Sequence, residues 1–312
     1  MDLFDTPANP APPGAMVAHI ACIDGLRIRT VRWAGPVEAR GTILIGNGRG
    51  EFVEKYFEVI GQLLARGFHV VAFDWRGQGL SVRELPNQRK GHIDDFSLYE
   101  RDLTAIEAQI LVSNCPKPWF GLGHSMGGAI LLGQALAGRS MCERLVLSAP
   151  MLGLAGLKYP GGARWLVAAL DLIGLGGAFI PGGGATAYMT KPFPGNVLTS
   201  DPQRYGRMAS VAAGAPQLAI GSPTVGWLNA AFRFMSHFQA PDYAGHPPVP
   251  CLIVAAGEDQ VVDSLLAGRV GARLKACHTL TIPQARHEIL IERDVFREQF
   301  WAAFDAFVPG TG

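Results

Sequence analysis

One serine in this chain lies where a predicted strand meets a predicted helix. Ser125 is the centre of GHSMG, residues 123–127, which follows the apolar run WFGLGH and precedes the apolar run GAILLGQALAG. The G-x-S-x-G pattern alone is weak evidence, but between a strand and a helix it is typical of a nucleophile elbow. Flanking glycines allow the sharp turn, and a helix N-terminus favours negative charge nearby. The alternative interpretation is a serine that only caps the helix.

A serine hydroxyl is a poor nucleophile until a base takes its proton, and histidine is the usual base. His287 follows the last predicted strand, in IPQARHEIL, so we expect it at the same sheet edge as Ser125. His124 is adjacent to the serine, but its side chain should point away from the elbow. The remaining histidines lack this placement and are interpreted as surface or packing residues: His19, His69, His92, His237, His246 and His278.

The base needs a carboxylate that fixes its tautomer and stabilises the imidazolium. The segment IVAAGEDQVVD offers three acids after a predicted strand. Asp259 lies where the strand gives way to a loop, and we favour it. Glu258 is the nearest rival, whereas Asp263 suits the first turn of a helix, where a carboxylate complements the dipole. The resulting order is Ser125, Asp259, His287, which is the α/β-hydrolase order.

A tetrahedral intermediate needs two preorganised N–H donors. We expect one from the backbone of Met126, directly after the serine. The second is assigned to the backbone N–H of Arg49, in the strand-to-helix segment ILIGNGRGEF, residues 43–52. That segment also suits a plain glycine-rich turn, and both interpretations can hold. A further glycine-rich segment, FDWRGQGLSVR at 73–83, is expected to shape one wall of the site without transferring protons.

Alternation of short apolar runs with helical patterns predicts the elements that position these residues. Strands are predicted at 42–46, 69–75, 119–124, 144–150, 251–257 and 279–283, and helices at 53–66, 94–112, 128–138 and 294–307. Near-continuous apolar strands suit a parallel sheet that is covered on both faces. The prediction is therefore an α/β chain with a mostly parallel, doubly wound sheet.

The alternation stops after about residue 150 and resumes near residue 249, which indicates an insertion between two strands of one sheet. We predict a flexible N-terminal arm at 1–16, a first core part at 17–150, a helical cap or lid at 151–248, and a second core part at 249–312. Two uncharged stretches, 172–190 and 208–232, contain glycines and prolines. They are interpreted as loops and short helices rather than membrane spans.

Composition excludes several classes of protein. The 312 residues are 48% hydrophobic with a formal net charge of +1, which favours a large core and gives no electrostatic reason for nucleic-acid binding. The five cysteines form no zinc-like spacing and are expected to be reduced thiols. The N-terminus has no secretory pattern, so we expect a cytoplasmic protein, with membrane-peripheral association left open. No metal or organic cofactor is expected.

Several segments, in order along nearly the whole chain, resemble one branch of the α/β-hydrolase superfamily. They are NGRGEFVEKYFEVI, FDWRGQGLSVR, GLGHSMGG, LSAPML, AAGEDQVVD and ARHEIL. The branch holds lysophospholipases, including L2-like bacterial members, and monoacylglycerol lipases, also described as serine aminopeptidase S33-like hydrolases. The resemblance implies a Ser125–Asp259–His287 triad, a mobile cap and hydrolysis of monoacyl esters. The oxyanion loop of the family usually begins His-Gly, whereas this chain has Asn47-Gly48.

The predicted activity is a serine carboxylic ester hydrolase that cleaves a lysophospholipid or monoacylglycerol through an acyl-enzyme. Two alternatives remain at this point. One is an S33-type aminopeptidase or amidase, although the predicted cap has few acids: Asp171, Asp201 and Asp242. The other is a non-hydrolytic binding protein on the same scaffold. Expected partners are a small lipid ester and, through the cap, a membrane or micelle surface, but no nucleic acid.

Overall fold

A single eight-stranded sheet forms the centre of the molecule. The computed structural model describes residues 3–157, 160–240 and 249–309. Its strands are β1 (Met16–Ala21), β2 (Arg27–Trp33), β3 (Thr42–Gly46), β4 (His69–Phe73), β5 (Trp119–His124), β6 (Arg144–Ser148), β7 (Cys251–Ala256) and β8 (Cys277–Ile282). The spatial order is β1-β2-β4-β3-β5-β6-β7-β8.

The sheet is mostly parallel, as the apolar strands predict. Among the strand pairs of the described residues, β1–β2 and β2–β4 are antiparallel and the others are parallel. Strands β3, β5 and β7 are buried along their whole length. Strands that are buried on both faces need helices around them, and the structure supplies nine in the described residues.

The helices are α1 (Phe57–Ala65), α2 (Ser97–Ile106), α3 (Val112–Asn114), α4 (Ser125–Leu136), α5 (Pro160–Leu170), α6 (Pro202–Gly214), α7 (Val225–Gln239), α8 (Ser264–Arg273) and α9 (Asp294–Phe307). Helix α4 packs on β3, β5 and β6 and is buried nearly all round, as its uniformly apolar sequence predicts. Helices α1 and α9 are joined by the Arg66–Asp305 ion pair at 2.8 Å. The fold is that of an α/β-hydrolase.

All six predicted strands are present, but β1 and β2 were not predicted. Strand β2 reads RIRTVRW, and its Arg29 is fully buried. The guanidinium of Arg29 lies 2.7 Å from both Glu54 and Asp74. A charged residue is expected to be exposed unless its ion-pair partners are known. The charged residues in this segment therefore gave no indication of a buried strand.

The N-terminal arm contacts the core in three places. The backbone N–H of Phe4 donates to Glu54 at 3.2 Å, the Asn9 amide donates to the Glu54 carbonyl at 2.9 Å, and the indole N–H of Trp33 donates to the Pro12 carbonyl at 2.9 Å. The flexibility expected for this arm stays a prediction. An exchange experiment on these N–H groups would test it.

The chain between β6 and β7 forms helices α5, α6 and α7, and we call residues 151–248 the cap segment. Helix α6 is tied to the core because Arg204 contacts Glu58 and Asp294, each at 2.7 Å. Thr224, at the start of α7, lies 2.8 Å from His92 of the core. Of the segment, residues 158–159 and 241–248, with His246 and Asp242, lie outside the described residues. Movement of the cap stays a prediction.

Two further expectations concern membrane spans and thiols. Within the described ranges no helix has the length and apolarity that a membrane crossing requires. All five cysteines are free thiols.

Candidate active site

The strand-to-helix turn at Ser125 has the geometry of a nucleophile elbow. Strand β5 ends at His124 and α4 begins at Ser125, whose φ of 50° lies in the left-handed region. A Cβ on Gly127 would lie 2.2 Å from the carbonyl oxygen of Gly46, and a Cβ on Gly123 would lie 2.6 Å from the Cα of Gly128. The glycines of the motif are therefore needed for close packing of the helix against the sheet.

The structure brings the three predicted site residues into one hydrogen-bonded chain. His287 follows β8, and its Nε2 lies 3.1 Å from Ser125 Oγ. Its Nδ1 lies 2.8 Å from Oδ2 of Asp259, which follows β7. With the proton on Nδ1, the ring donates to the carboxylate, and Nε2 accepts from the serine hydroxyl.

The environment of Asp259 keeps it ionised. Burial by itself would raise the pKa of this carboxyl, but the interaction with His287 and two backbone N–H groups outweigh it and lower the pKa. The N–H groups of Val261 and Val262 donate to Oδ1 at 2.8 and 2.9 Å. Glu258 is exposed, and Asp263 caps α8 through the N–H of Leu266. The geometry thus connects Asp259, and neither rival, to the histidine.

The loop at 47–51 lies after β3, and Arg49 N–H makes no hydrogen bond within the described part of the chain. Met126 N–H is in the first turn of α4, where N–H groups have no helical acceptor. Gln78 fixes the loop: its amide nitrogen donates to the carbonyls of Gly48 and Glu51 at 2.8 and 3.0 Å. Its amide oxygen accepts from Gly50 N–H at 3.1 Å.

Asn47, which departs from the His-Gly start that the resemblance implies, also anchors this loop. The side-chain amide of Asn47 donates to the Phe73 carbonyl at 3.1 Å, and the backbone carbonyl of Asn47 accepts from the Trp75 indole N–H at 2.9 Å. The side chain therefore ties the loop to the end of β4.

One expectation about the segment at 73–83 is wrong. The lining of the main cavity includes none of these residues, so the segment is not a wall of the site. Instead Trp75 and Gln78 hold the 47–51 loop from behind. Asp74 is buried, and it accepts from the N–H groups of Val53 and Leu80 at 3.0 and 2.7 Å. The segment acts by positioning backbone rather than by contacting the cavity.

Sequence reasoning missed a buried cluster of charges beside the serine and histidine. Lys55 Nζ lies 2.6 Å from Glu51 and 2.5 Å from Glu288, and Tyr188 donates to Glu288 at 3.1 Å. Burial alone would raise the pKa of Glu51, but the charge of Lys55 dominates, and the pKa is lowered to about 2. The one sequence feature that indicates this cluster is the four-residue spacing of Glu51 and Lys55, which is common for ion pairs.

The His124 side chain contacts the Ser148 carbonyl and the His287 ring. Its Nδ1 lies 3.1 Å from the Ser148 carbonyl, and its ring centroid lies 4.9 Å from that of His287. Burial lowers the pKa of His124 to about 3, so the ring is neutral at pH 7. A neutral ring here adds no positive charge next to the base.

A cavity of about 750 Å³ opens onto the serine. Ser125, His287, Arg49, Glu51 and Glu288 line its polar part. Most of the remaining surface is apolar and comes from the cap segment and the loop after β7, including Leu154, Leu157, Ile180, Leu198, Trp227 and Val262. Such a shape accommodates an apolar chain with a polar group near the serine.

Chemically, this arrangement can activate a hydroxyl. An imidazole accepts the serine proton, a carboxylate stabilises the imidazolium, and unpaired backbone N–H groups are available for a developing oxyanion. In the described residues no group of three or more His, Cys, Asp or Glu side chains could hold a metal ion.

Comparison with known proteins identifies a family for the chain. The profile of the serine aminopeptidase S33 family of hydrolases matches residues 37–294. Lysophospholipase L2 of Escherichia coli strain K12 is 32% identical over 292 residues, which cover 90% of this chain and 83% of that protein. A monoacylglycerol lipase of Mycolicibacterium smegmatis is 24% identical over 87% of this chain and 90% of its own length.

Solved structures agree on the fold. A soluble variant of monoglyceride lipase from Saccharomyces cerevisiae, in complex with a substrate analogue, superposes with a TM-score of 0.76 at 18% identity, covering 99% of this chain and 100% of the other. A carboxyl esterase from Bacillus coagulans gives a TM-score of 0.72 at 19% identity, covering 96% and 99%. Together the relatives place this chain among carboxylic ester hydrolases of the lysophospholipase and monoacylglycerol lipase branch.

Proposed function

The chain belongs to the serine aminopeptidase S33 family of hydrolases, and we propose that it cleaves the ester bond of monoacyl lipids, either lysophospholipids or monoacylglycerols. The observation that carries this proposal is the hydrogen-bonded chain of Ser125, His287 and Asp259 on the wall of a largely apolar cavity. An acyl chain fits the apolar part, and its ester carbonyl reaches the serine.

In the first half-reaction Ser125 Oγ attacks the ester carbonyl carbon while His287 Nε2 takes the hydroxyl proton. Asp259 stabilises the imidazolium, and the N–H groups of Arg49 and Met126 hold the oxyanion. The imidazolium then protonates the leaving glycerol oxygen, the ester bond breaks, and the acyl group stays on the serine. In the second half-reaction water gives one proton to His287 while its oxygen attacks the acyl carbonyl carbon. The imidazolium then protonates Ser125 Oγ as the acyl–serine bond breaks, which releases a fatty acid and restores the free enzyme.

A substrate panel with matched variants tests this reaction. It compares wild type, Ser125→Ala and the control Ser210→Ala, an exposed serine on α6, on p-nitrophenyl esters of increasing length, a monoacylglycerol, a lysophosphatidylcholine and an aminoacyl amide. We expect ester cleavage by wild type and control, and a loss of about 10⁴-fold or more in Ser125→Ala. Full turnover by folded Ser125→Ala would refute the mechanism.

The aminoacyl amide tests the peptidase alternative. Holding a substrate ammonium requires a free carboxylate in the site. Among the described residues, the carboxylates that line the cavity are Glu51 and Glu288, and both already bind Lys55. Ester hydrolysis is therefore favoured over aminopeptidase activity. Cleavage of the aminoacyl amide without cleavage of the esters would favour the peptidase instead.

The cap also presents an exposed apolar patch, which we propose contacts the lipid aggregate that supplies the substrate. Its residues are Trp165, Leu166, Leu172, Ile173 and Leu175, which are 44–88% exposed. They belong to the same segment that lines the cavity, so lipid could pass from the surface to the serine. Vesicle flotation should weaken in Leu172→Asn and not in the control Ile23→Asn, an exposed apolar residue on the core. Equal flotation of both variants would refute this contact.

A further inference from the structure

The Arg49 side chain is a half-buried cation without an anionic partner in the described structure. Its guanidinium lies 4.8 Å from the Trp227 ring centroid, and Nη1 donates to the Gly221 carbonyl at 3.1 Å. Its Nε and Nη2 are buried and have no hydrogen-bond partner. Burial lowers the pKa of this guanidinium to about 10, so it is charged at neutral pH.

Four buried cations of the described residues are paired with acids, whereas Arg83, which does not line the cavity, donates only to backbone carbonyls and has a buried Nη1 without a partner. Arg29 contacts Glu54 and Asp74, Arg76 contacts Asp102 and Asp24, Lys55 contacts two glutamates, and Arg297 contacts Glu58 and Asp294. A buried charge without a counter-ion is expensive. Arg49 lines the cavity, so a ligand there is the available source of the missing charge once the Nε/Nη2 edge, which has almost no accessible surface, turns toward it.

The unpartnered atoms form a pair suited to an oxyanion. Nε and Nη2 lie on one edge of a guanidinium and donate two parallel N–H bonds to a carboxylate or phosphate. This chain uses that edge twice elsewhere. Arg66 binds both oxygens of Asp305 through Nε and Nη2 at 2.8 and 3.1 Å, and Arg204 binds both oxygens of Glu58 at 2.9 and 2.7 Å.

The position of Arg49 relates this edge to the reacting ester. Its backbone N–H is the proposed oxyanion donor, so the ester carbonyl would sit beside its main chain. Ordinary bond lengths place the guanidinium of an extended arginine roughly 6 Å from its own Cα. In a lysophospholipid six bonds separate the ester carbonyl carbon from the phosphorus, which is a similar span.

We propose that the Nε/Nη2 edge of Arg49 binds the phosphate of a lysophospholipid, so that the enzyme favours phosphate-bearing monoacyl esters over neutral monoacylglycerols. This inference rests on the proposed ester hydrolysis and selects between its two substrate classes. The carboxylates of Glu51 and Glu288 also line the cavity, but Lys55 between them offsets part of their charge.

The test compares lysophosphatidylglycerol with monoacylglycerol of the same octanoyl chain, below their micelle concentrations. In Arg49→Met the ratio of kcat/KM for the phosphate-bearing ester to that for the neutral ester should fall about 10- to 100-fold, the scale of a lost charged hydrogen-bond pair. Any effect on the oxyanion loop acts on both esters and cancels in the ratio. Arg49→Lys, which keeps the charge but not the edge, should give an intermediate ratio.

Arg89→Met is the matched control. Arg89 also donates to cap carbonyls, those of Pro216 and Ala219, but it does not line the cavity. Its substitution should leave the ratio unchanged. An unchanged ratio in both Arg49 variants would overturn the proposal.

A binding measurement on a catalytically inactive variant tests the phosphate site separately from the proposed catalysis. Calorimetric titration compares the Ser125→Ala protein with the Ser125→Ala, Arg49→Met double variant. Adding Arg49→Met should weaken the binding of lysophosphatidylglycerol and leave the binding of monoacylglycerol unchanged. Failure of ester hydrolysis in wild type, with this Arg49-dependent binding intact, would refute the proposed function and leave the phosphate site standing. Inorganic phosphate should not compete at concentrations near the lipid Kd. Equally tight, Arg49-dependent binding of inorganic phosphate would show a free-anion site and overturn the lipid assignment.

Discussion

Replacing Gln78 by alanine tests whether the 47–51 loop must be held in place for catalysis. The side chain makes three hydrogen bonds to this loop, at 2.8, 3.0 and 3.1 Å. It contacts the backbone of Gly48, Gly50 and Glu51, on both sides of the proposed oxyanion donor Arg49. Its truncation leaves two carbonyls and one N–H without their partner.

The expected magnitude follows from that count. Each buried hydrogen bond contributes about 1 kcal/mol, so we expect the free energy of unfolding to fall by about 2–3 kcal/mol. Complete loss of one oxyanion donor costs about 10²- to 10³-fold in kcat. A displaced donor costs less, so we expect kcat to fall about 10- to 100-fold while KM changes little.

The assay is steady-state hydrolysis of a soluble p-nitrophenyl ester, run at a temperature where circular dichroism shows the variant fully folded. Gln88→Ala is the control, because Gln88 is exposed and its amide contacts only neighbouring carbonyls. A folded Gln78→Ala protein with wild-type kcat would refute the claim that this side chain positions the oxyanion site. A change in KM alone would place its effect on binding instead.

Three further changes have distinct expected results. Asp259→Asn should lower kcat by about 10³- to 10⁴-fold in the same ester assay, because the imidazolium loses its carboxylate and the favoured tautomer changes. Gly127→Ala should lower the melting temperature, at a cost of roughly 2 kcal/mol or more, because its Cβ would lie 2.2 Å from a backbone oxygen. Glu51 has its pKa lowered from 4.5 to about 2, so folding stability that it contributes is present above pH 4.5 and is lost as the pH falls toward 2. Urea unfolding between pH 5 and pH 2.5 should therefore depend less on pH in Glu51→Gln.

Each change has a comparison that could contradict it. Glu258→Gln, at the exposed neighbouring position, should keep nearly full activity, and an equal loss there would contradict the role of Asp259. Gly206→Ala, at an open helical site, should raise stability by about 0.5–1 kcal/mol. Equal melting temperatures in both alanine variants would contradict the packing argument. Identical pH dependence in wild type and Glu51→Gln would contradict the assigned shift in pKa.

Local patterns predicted the strands that present the site. Strands β3 and β5 begin and end where the apolar runs do, because full burial leaves an unmixed apolar pattern. Strand β1 was missed because only Ile20 of its six residues is buried, so it carries little hydrophobic pattern. A helix was expected to begin at Asp263, but the bounds of α8 were not predicted. The Asp263 carboxylate accepts from the N–H of Leu266 as the N-cap, so this residue precedes the first turn instead of lying in it.

Some residues of the candidate site could likewise be predicted from local sequence, and others could not. Ser125, His287 and Asp259 could be predicted because parallel strands deliver their following loops to one sheet edge. Gln78 and Glu288 act on residues 30 or more positions away, at Gly48 and Lys55. No local periodicity records such a contact. The unpaired edge of Arg49 is likewise visible only when all neighbouring acids have been located in space.

The backbone of Ser125 has a consequence for selection experiments. A side chain in the left-handed region costs about 1–2 kcal/mol, which glycine does not incur. Greater chain entropy in the unfolded state offsets roughly 0.5–1 kcal/mol of the gain from glycine. A directed-evolution screen that rewards only heat resistance therefore has no reason to retain this serine, and it can drift toward an inert, slightly sturdier protein. Libraries built on this scaffold need turnover in every round of selection.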